Sequence, residues 1–244
     1  MFIGMTEKKN KITFIIATKN DYLNLIKTLK SIEKVFKGIN YELIIKDANS
    51  IIKPDKIVKK FKNITHYVSK NDKGIYDAWN YSMKYVKTEY VSFLGAGDKI
   101  NLNYKNFLNF CVLKKKTNFF YCKANLIGTK VIIGKNTNKK LWPFIMPIVH
   151  VGGIFKSNFL KKNNYKSKFK ISGDYEVLLR TRKFIKINFY DKVCLGMKPG
   201  GISQDPKKNF LKFSEMFISI RENYNIVTAS LYFTLNIFVN LFKK

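Results

Sequence analysis

Lys11-Ile12-Thr13-Phe14-Ile15-Ile16-Ala17-Thr18 is a short, continuous run of apolar and β-branched residues. It lacks the polar alternation of a half-exposed strand and reads as a strand buried on both faces of a parallel sheet. Asn20-Asp21 then offers a helix cap, and Leu23, Ile26, Leu29, Ile32 and Phe36 recur at helical spacing until Gly38. A second strand, Tyr41-Glu42-Leu43-Ile44-Ile45-Lys46, stops at the turn cluster Asp47-Ala48-Asn49-Ser50. Pro54 opens a short helix through Ile57, Val58 and Phe61. A third strand over 64–68, a helix over 74–86 and a fourth strand, Tyr90-Val91-Ser92-Phe93-Leu94, end at Gly95-Ala96-Gly97-Asp98. Strands alternating with helices over residues 11–98 imply a parallel sheet with right-handed crossovers.

Beyond Asp98 the pattern loosens. Residues 119–122 and 130–134 read as strands around a turn, 141–147 as a loop holding two prolines, and 150–155 as a strand entering a helix. Ser172-Gly173-Asp174 reads as the start of a helix carrying Tyr175, Leu178 and Leu179, and 189–195 as a return to the sheet. Gly200-Gly201-Ile202-Ser203 reads as a turn. Residues 207–242 read as one long helix, and its stretch from Asn223 to Phe242 carries no charge. Thr228, Tyr232, Asn236 and Asn240 fall at i, i+4, i+8 and i+12. That polar stripe favours a helix lying at a membrane interface over one that packs on the domain or spans a bilayer.

The chain has 244 residues, which is one large domain with or without an appendage. At 46% hydrophobic and 15% aromatic it can bury a sizeable core. Forty-six Lys and Arg against 16 Asp and Glu give a net charge of +30. Only Arg180, Arg182 and Arg221 are arginines. Readers of bases and phosphates favour Arg forks, so an anionic membrane surface is the favoured partner of this charge and nucleic acid the disfavoured one. Three cysteines without a C-x-x-C pair encode neither a disulfide scaffold nor a zinc ribbon, and fit a reducing cytoplasm. Residues 1–11 lack the apolar stretch of a secretory signal. No Asp or Glu occurs between Lys99 and Gly173. In a chain this poor in acids, each carboxylate in an apolar or Gly-rich setting is a candidate for chemistry.

Three turns stand at the carboxyl ends of the first, second and fourth strands, where open α/β sheets bind ligands: Ala17-Thr18-Lys19-Asn20, Asp47-Ala48-Asn49-Ser50 and Gly95-Ala96-Gly97-Asp98. No G-x-G-x-x-G follows the first strand, and neither a P-loop nor a G-x-S-x-G elbow exists. In this order the segments resemble the family 2 glycosyltransferases of GT-A fold. Thr18 and Asn20 fit the family's opening strand and T-x-N turn, and Ile44 to Ser50 fit I-V-x-D-x-x-S. Asp72-Lys73-Gly74-Ile75-Tyr76-Asp77-Ala78-Trp79-Asn80 fits D-x-G-I-Y-D-A-x-N, the most specific segment. Phe93 to Asp98 fit F-L-N-A-G-D, and Gly173-Asp174-Tyr175-Glu176 fits the segment that carries the base. The resemblance spans residues 11 to about 203.

The resemblance implies an α/β GT-A domain over residues 1–205, with a nucleotide-binding half at 11–98 and an acceptor half at 99–205. Residues 206–244 form a helical membrane-association or packing segment. It implies an inverting transfer from a nucleoside-diphosphate sugar, with a UDP-sugar favoured, to a lipid-linked saccharide or glycan. The enzyme would work in cell-surface polysaccharide synthesis, on the cytoplasmic face of the membrane. Asp174 is then the general base. Ala17, Thr18, Asn20, Asp47, Lys73, Asp77 and Gly97 belong to the donor site, and Asp98 holds Mn²⁺ or Mg²⁺. Gly97 stands where the family often has a second acid. His150 is expected either to touch the diphosphate or acceptor or to be structural, and Glu176 to be solvated or an acceptor contact. Gly200 to Ser203 suit a loop that closes over the donor. The competing readings are a basic nucleic-acid-binding module and a catalytically degenerate GT-A protein.

Overall fold

A computed structural model describes residues 11–241, with side chains to residue 235. Expectations for residues 1–10 and for the side chains of Asn236 and Asn240 lie outside the described residues. The first half follows the order read from the sequence: β1 (Ile12–Thr18), α1 (Tyr22–Val35), β2 (Glu42–Asp47), α2 (Asp55–Val58), β3 (Ile64–Ser69), α3 (Ile75–Met83) and β4 (Tyr90–Gly95). The second half holds β5 (Lys99–Ile100), α4 (Asn103–Leu113), β6 (Phe119–Leu126), β7 (Ile132–Ile133), β8 (Ile154–Lys156), α5 (Ser157–Lys162), α6 (Gly173–Thr181) and β9 (Ile187–Met197). Two helices follow, α7 (Asn209–Asn223) and α8 (Ile226–Leu241).

One nine-stranded sheet runs β3-β2-β1-β4-β8-β6-β9-β5, with β7 paired to β6. The strands β3, β2, β1 and β4 are parallel neighbours, in register Phe14 to Leu43 and Ile15 to Phe93. Short β8 joins the halves, antiparallel to both β4 and β6, and β9 runs parallel to β6. Alternation along each strand divides the core between two faces. Phe14, Ile16, Leu43 and Ile45 pack under Leu25, Leu29, Ile32 and Phe36 of the first helix and its end, with Tyr104 and Phe107 of α4. Ile15, Ile44 and Phe93 pack on the other face under Trp79, Met83, Leu178 and Ile220. The result is the expected α/β sandwich, a sheet covered by helices on both sides.

The single long helix expected over 207–242 is instead two. The chain breaks at Tyr224, whose ring lies 3.9 Å from the Arg182 guanidinium, and Asn225 then caps α8 by accepting from the amide of Thr228 at 2.8 Å. Tyr232, read as part of a solvent-facing stripe, is buried with its hydroxyl 3.3 Å from Met216 Sδ of α7. The outward side of α8, as far as Leu235, is largely apolar: Ile226, Val227, Leu231, Phe233 and Leu235 are exposed, beside Ser230 and Thr234. Among the described residues no helix is long and apolar enough to cross a membrane.

His150 sits where the two halves of the sheet meet. It is 4% exposed, stacked on Trp79 with ring centroids 5.2 Å apart, and flanked by Phe93, Phe119 and Phe155. Its Nε2 lies 2.8 Å from the Tyr165 hydroxyl. Burial lowers its pKa from 6.5 to about 4, against the opposing pull of Asp174. The unfolded chain takes up this proton near 6.5 and the folded chain only near 4, so stability falls as pH falls through that window. Denaturant titrations at pH 7.5 and 5 should show a loss from this residue of about 2 kcal/mol, which His150→Phe removes. An equal loss in the variant would contradict a buried neutral His150.

Candidate active site

The carboxyl edge of β1, β2 and β4 is a set of loops tied to one another by side-chain oxygens. Asp47 ends β2 and is 0% exposed. Its Oδ2 accepts from the Ser50 amide at 2.9 Å and the Ser69 hydroxyl at 2.6 Å, and its Oδ1 from the Ser50 hydroxyl. Ser50 Oγ in turn accepts from the Asn20 amide at 2.6 Å, while Asn20 Oδ1 accepts from the Ile51 amide at 2.9 Å. Asn20 and Asn49 are the non-glycine residues of positive φ, at 52° and 56°. Asn tolerates that region better than most residues, and here it lets both turns fold back on each other. Asp47 thus stands at the carboxyl edge of the sheet, with its oxygens engaged by the loops around it. Thr18 Oγ is buried at the same edge with no hydrogen-bond partner among the described residues. Ala17 is partly exposed beside it.

The loop from β3 to α3 is anchored from beneath. Lys46 is 2% exposed, and its ammonium meets Asp72 Oδ2 at 3.1 Å, the Asp47 carbonyl at 2.9 Å and the Lys70 carbonyl. Removing one partner of a buried pair of this kind costs roughly 3–5 kcal/mol. Asp72 Oδ1 also accepts from the Gly74 amide, and Asp77 Oδ2 from the Lys73 amide at 3.0 Å. Lys73 itself is exposed.

The second half of the sheet domain approaches this edge through α6. Asp174 is partly exposed in the first turn of α6. Its Oδ1 accepts from the Tyr175 amide at 2.8 Å and lies 3.0 Å from the Tyr76 hydroxyl of α3. The one proton of that hydroxyl is shared between Oδ1 and the Ile171 carbonyl, 2.7 Å away. No described residue hydrogen-bonds Asp174 Oδ2. A Cβ at Gly173 would stand 2.8 Å from the Tyr76 ring, so this close approach requires glycine. The segment before α6 is held by Glu215 of α7, which is buried. Its Oε1 accepts from the Lys170 amide at 2.6 Å, and its Oε2 from the amides of Ile171 and Ser172 at 2.9 and 2.8 Å. Sequence reading singled out none of Lys46, Tyr76 and Glu215. A charge inside an apolar strand and an acid among apolar helix residues were the available signals.

Two expectations are corrected. Glu176 is not solvated: it is 0% exposed, and its Oε1 pairs with Lys166 and Arg180, each at 2.9 Å. Two residues along a helix from Asp174, its side chain leaves on the opposite face and enters the protein. His150 takes the structural alternative, because it is enclosed by the aromatic cluster and presents no open face to a diphosphate or acceptor.

Asp98 closes the turn after β4. It is 6% exposed, with Oδ2 accepting from the Gly95 amide at 2.7 Å and Oδ1 from the Lys198 amide at 2.9 Å. Burial pushes its carboxyl above the ordinary value, while those two amides and the Lys198 ammonium pull it back. Gly97 has φ 105°, and its amide donates to Thr28 Oγ at 2.8 Å. These residues offer a divalent ion a single carboxylate, with no second acid beside it. The one carboxylate is engaged on both oxygens by backbone amides, and the place of a second acid is a left-handed glycine. Among the described residues no group of three or more His, Cys, Asp or Glu is arranged to hold a metal.

Residues 13–128 match the family model described as Glycosyl transferase family 2. Among solved structures, S. aureus TarS 1–349 superposes with a TM-score of 0.67 at 15% identity, over 88% of this chain and 66% of that one. The same fragment in complex with UDP gives 0.67 at 18% identity over 88% and 66%, and in complex with UDP-GlcNAc 0.66 at 17% over 88% and 67%. The chain spans 40% of the longer TarS structure. Likeness at this identity shows a shared fold. No curated protein matches the chain. The sheet order, the helices on both faces and these superpositions give the chain a fold of the GT-A type, and residues 13–128 are similar to the family 2 glycosyltransferases.

Proposed function

We propose that the chain transfers a sugar, with inversion, from a nucleoside-diphosphate sugar to a hydroxyl acceptor, and that Asp174 is the general base. The observation that carries this is the state of the Asp174 carboxylate. Tyr76, from the helix of the D-x-G-I-Y-D-A-x-N segment, holds Oδ1, and Oδ2 at the start of α6 has no partner among the described residues. A carboxylate fixed by one oxygen and open at the other can take a proton from an incoming hydroxyl. The acceptor oxygen then forms its bond to the anomeric carbon from one side. The bond to the diphosphate breaks on the other side, and its electron pair leaves with the diphosphate. One base suffices, and no covalent sugar intermediate is required. The donor lies against the edge formed by Ala17, Thr18, Asn20, Lys73, Asp77 and the turn at Gly97, with Asp47 shaping that edge from within. UDP is the favoured nucleotide, supported by the complexes of TarS with UDP and UDP-GlcNAc.

The acceptor we propose is a lipid-linked saccharide or glycan of a cell-surface polysaccharide, met at the cytoplasmic face of a membrane. Two features support this. The net charge of +30 attracts anionic lipid, with roughly 1 kcal/mol for each Lys near the surface. The outward side of α8 offers an uncharged row of exposed apolar residues, with Val227 the most open at 73%. The full chain should float with vesicles of anionic lipid and not with neutral ones, and Val227→Asp with Leu231→Asp should abolish flotation. Unchanged flotation of the double variant would overturn the role of α8.

Kinetics test the base and its support. Asp174→Asn should lower kcat by about a thousandfold or more, while UDP affinity stays within about twofold, since general bases contribute roughly 10²–10⁴. Glu215→Ala strands three buried amides and should lower kcat at least tenfold with the donor KM little changed, and Glu215→Gln should restore part of the loss. A fully active Asp174→Asn enzyme would overturn the assignment. Equal effects of Glu215→Ala on kcat and KM would reduce Glu215 to a stability role.

A further inference from the structure

The space beside Gly97 is not empty. A Cβ built on Gly97 would stand 2.5 Å from Lys198 Cδ, 3.1 Å from its Cβ and 3.2 Å from its Cγ. The aliphatic stem of Lys198 therefore lies across the glycine, over the place a second acid would occupy. The Lys198 amide donates to Asp98 Oδ1, which fixes the lysine backbone at the turn after β4. Its ammonium reaches Asp21 Oδ2 at 2.7 Å, at the start of α1. Asp21 was expected to cap α1, but its side chain makes no capping bond there and accepts from Asn24 and Lys198 instead. One lysine thus crosses from the end of β4 to the end of β1, the edge where open α/β sheets receive phosphates.

We propose that Lys198 supplies the positive charge for the donor's diphosphate, in place of a divalent metal ion. The inference rests on the nucleotide-sugar reading above. The ammonium is placed for it: the Lys198–Asp21 pair is partly open to solvent, with side chains 44% and 30% exposed. A partly exposed pair of this kind contributes little, so Asp21 is readily exchanged for a phosphate oxygen. Lysine is a point-charge binder of phosphate with three donors. The left-handed backbone at Gly97 and the stem that fills its open side disfavour a second metal-binding carboxylate there. As the bond between the anomeric carbon and the β-phosphate oxygen breaks, the electron pair goes to the diphosphate, and Lys198 hydrogen-bonds the oxygen that receives it. The acceptor oxygen makes the new bond to carbon, and its proton passes to Asp174. Lys198 follows β9 directly, and the next glycines, Gly200 and Gly201, have open space where a side chain would be.

Calorimetric titration of the full chain with UDP and with uridine, in EDTA and in Mn²⁺, tests this. UDP should bind in EDTA within about threefold of its affinity in Mn²⁺. Lys198→Met keeps the stem and should weaken UDP by about tenfold or more while leaving uridine unchanged. Asp21→Asn frees the ammonium and should bind UDP at least as tightly as the parent chain, which provides a second readout should Lys198→Met fold poorly. UDP binding that requires Mn²⁺, or is unaffected by Lys198→Met, overturns the inference and leaves the transferase reading standing. Absence of binding by UDP, GDP and CDP in both conditions overturns the donor reading beneath it.

Discussion

A carboxylate taken out of water must have its lone pairs filled, and this chain has few carboxylates to place. It holds 16 acids against 46 basic residues, and several of the acids lie buried or half-buried at one edge of the sheet. There they accept from backbone amides and hydroxyls. Asp47 ties the turn after β2 to β3, Asp98 ties the turn after β4 to the end of β9, and Glu215 ties α7 to the start of α6. Charge-assisted bonds of this kind are about twice as strong as neutral ones, and each loop here would otherwise hold unpaired polar groups. The architecture of the edge follows from these three clips.

The clips also decide which acids remain for chemistry. Asp47, Asp72 and Asp98 have both oxygens engaged within the protein. Asp77 and Asp174 each keep one oxygen without a partner among the described residues, and they sit on α3 and α6, the two helices that Tyr76 joins. Helices α3 and α6 are thus coupled by one hydroxyl. Glu215 makes the segment after residue 205 part of this assembly. Helix α7 carries a residue that holds the segment before α6, while α8 is left with a largely apolar outer side.

Much of this was legible in the sequence where the physics is local. Strands such as Ile12–Thr18 announce themselves because burial on both faces removes any alternation, and helices such as Tyr22–Val35 because their period is 3.6. Asp174 and Asp98 stood out because the chain has so few acids. What could not be read depends on distant partners. Glu215 bonds residues some 43–45 positions away and Lys198 one 100 away, and no local pattern encodes either pairing. The stripe on the last helix misled for a related reason: Tyr232 is polar only at its hydroxyl, and α7 offers its ring a buried seat. Glu176 and Asp174 look equivalent in sequence, yet a spacing of two on a helix sends one into the core and leaves the other at the edge.

A structure of the chain with an intact UDP-sugar tests the central claim most directly. The nucleotide should lie across the carboxyl ends of β1 and β4, with the diphosphate within hydrogen-bond reach of Lys198 and the anomeric carbon facing Asp174 Oδ2. A nucleotide seated elsewhere would contradict it, for example in the groove lined by Phe36, Lys37, Tyr41, Lys60 and Phe61 before the amino ends of β2 and β3.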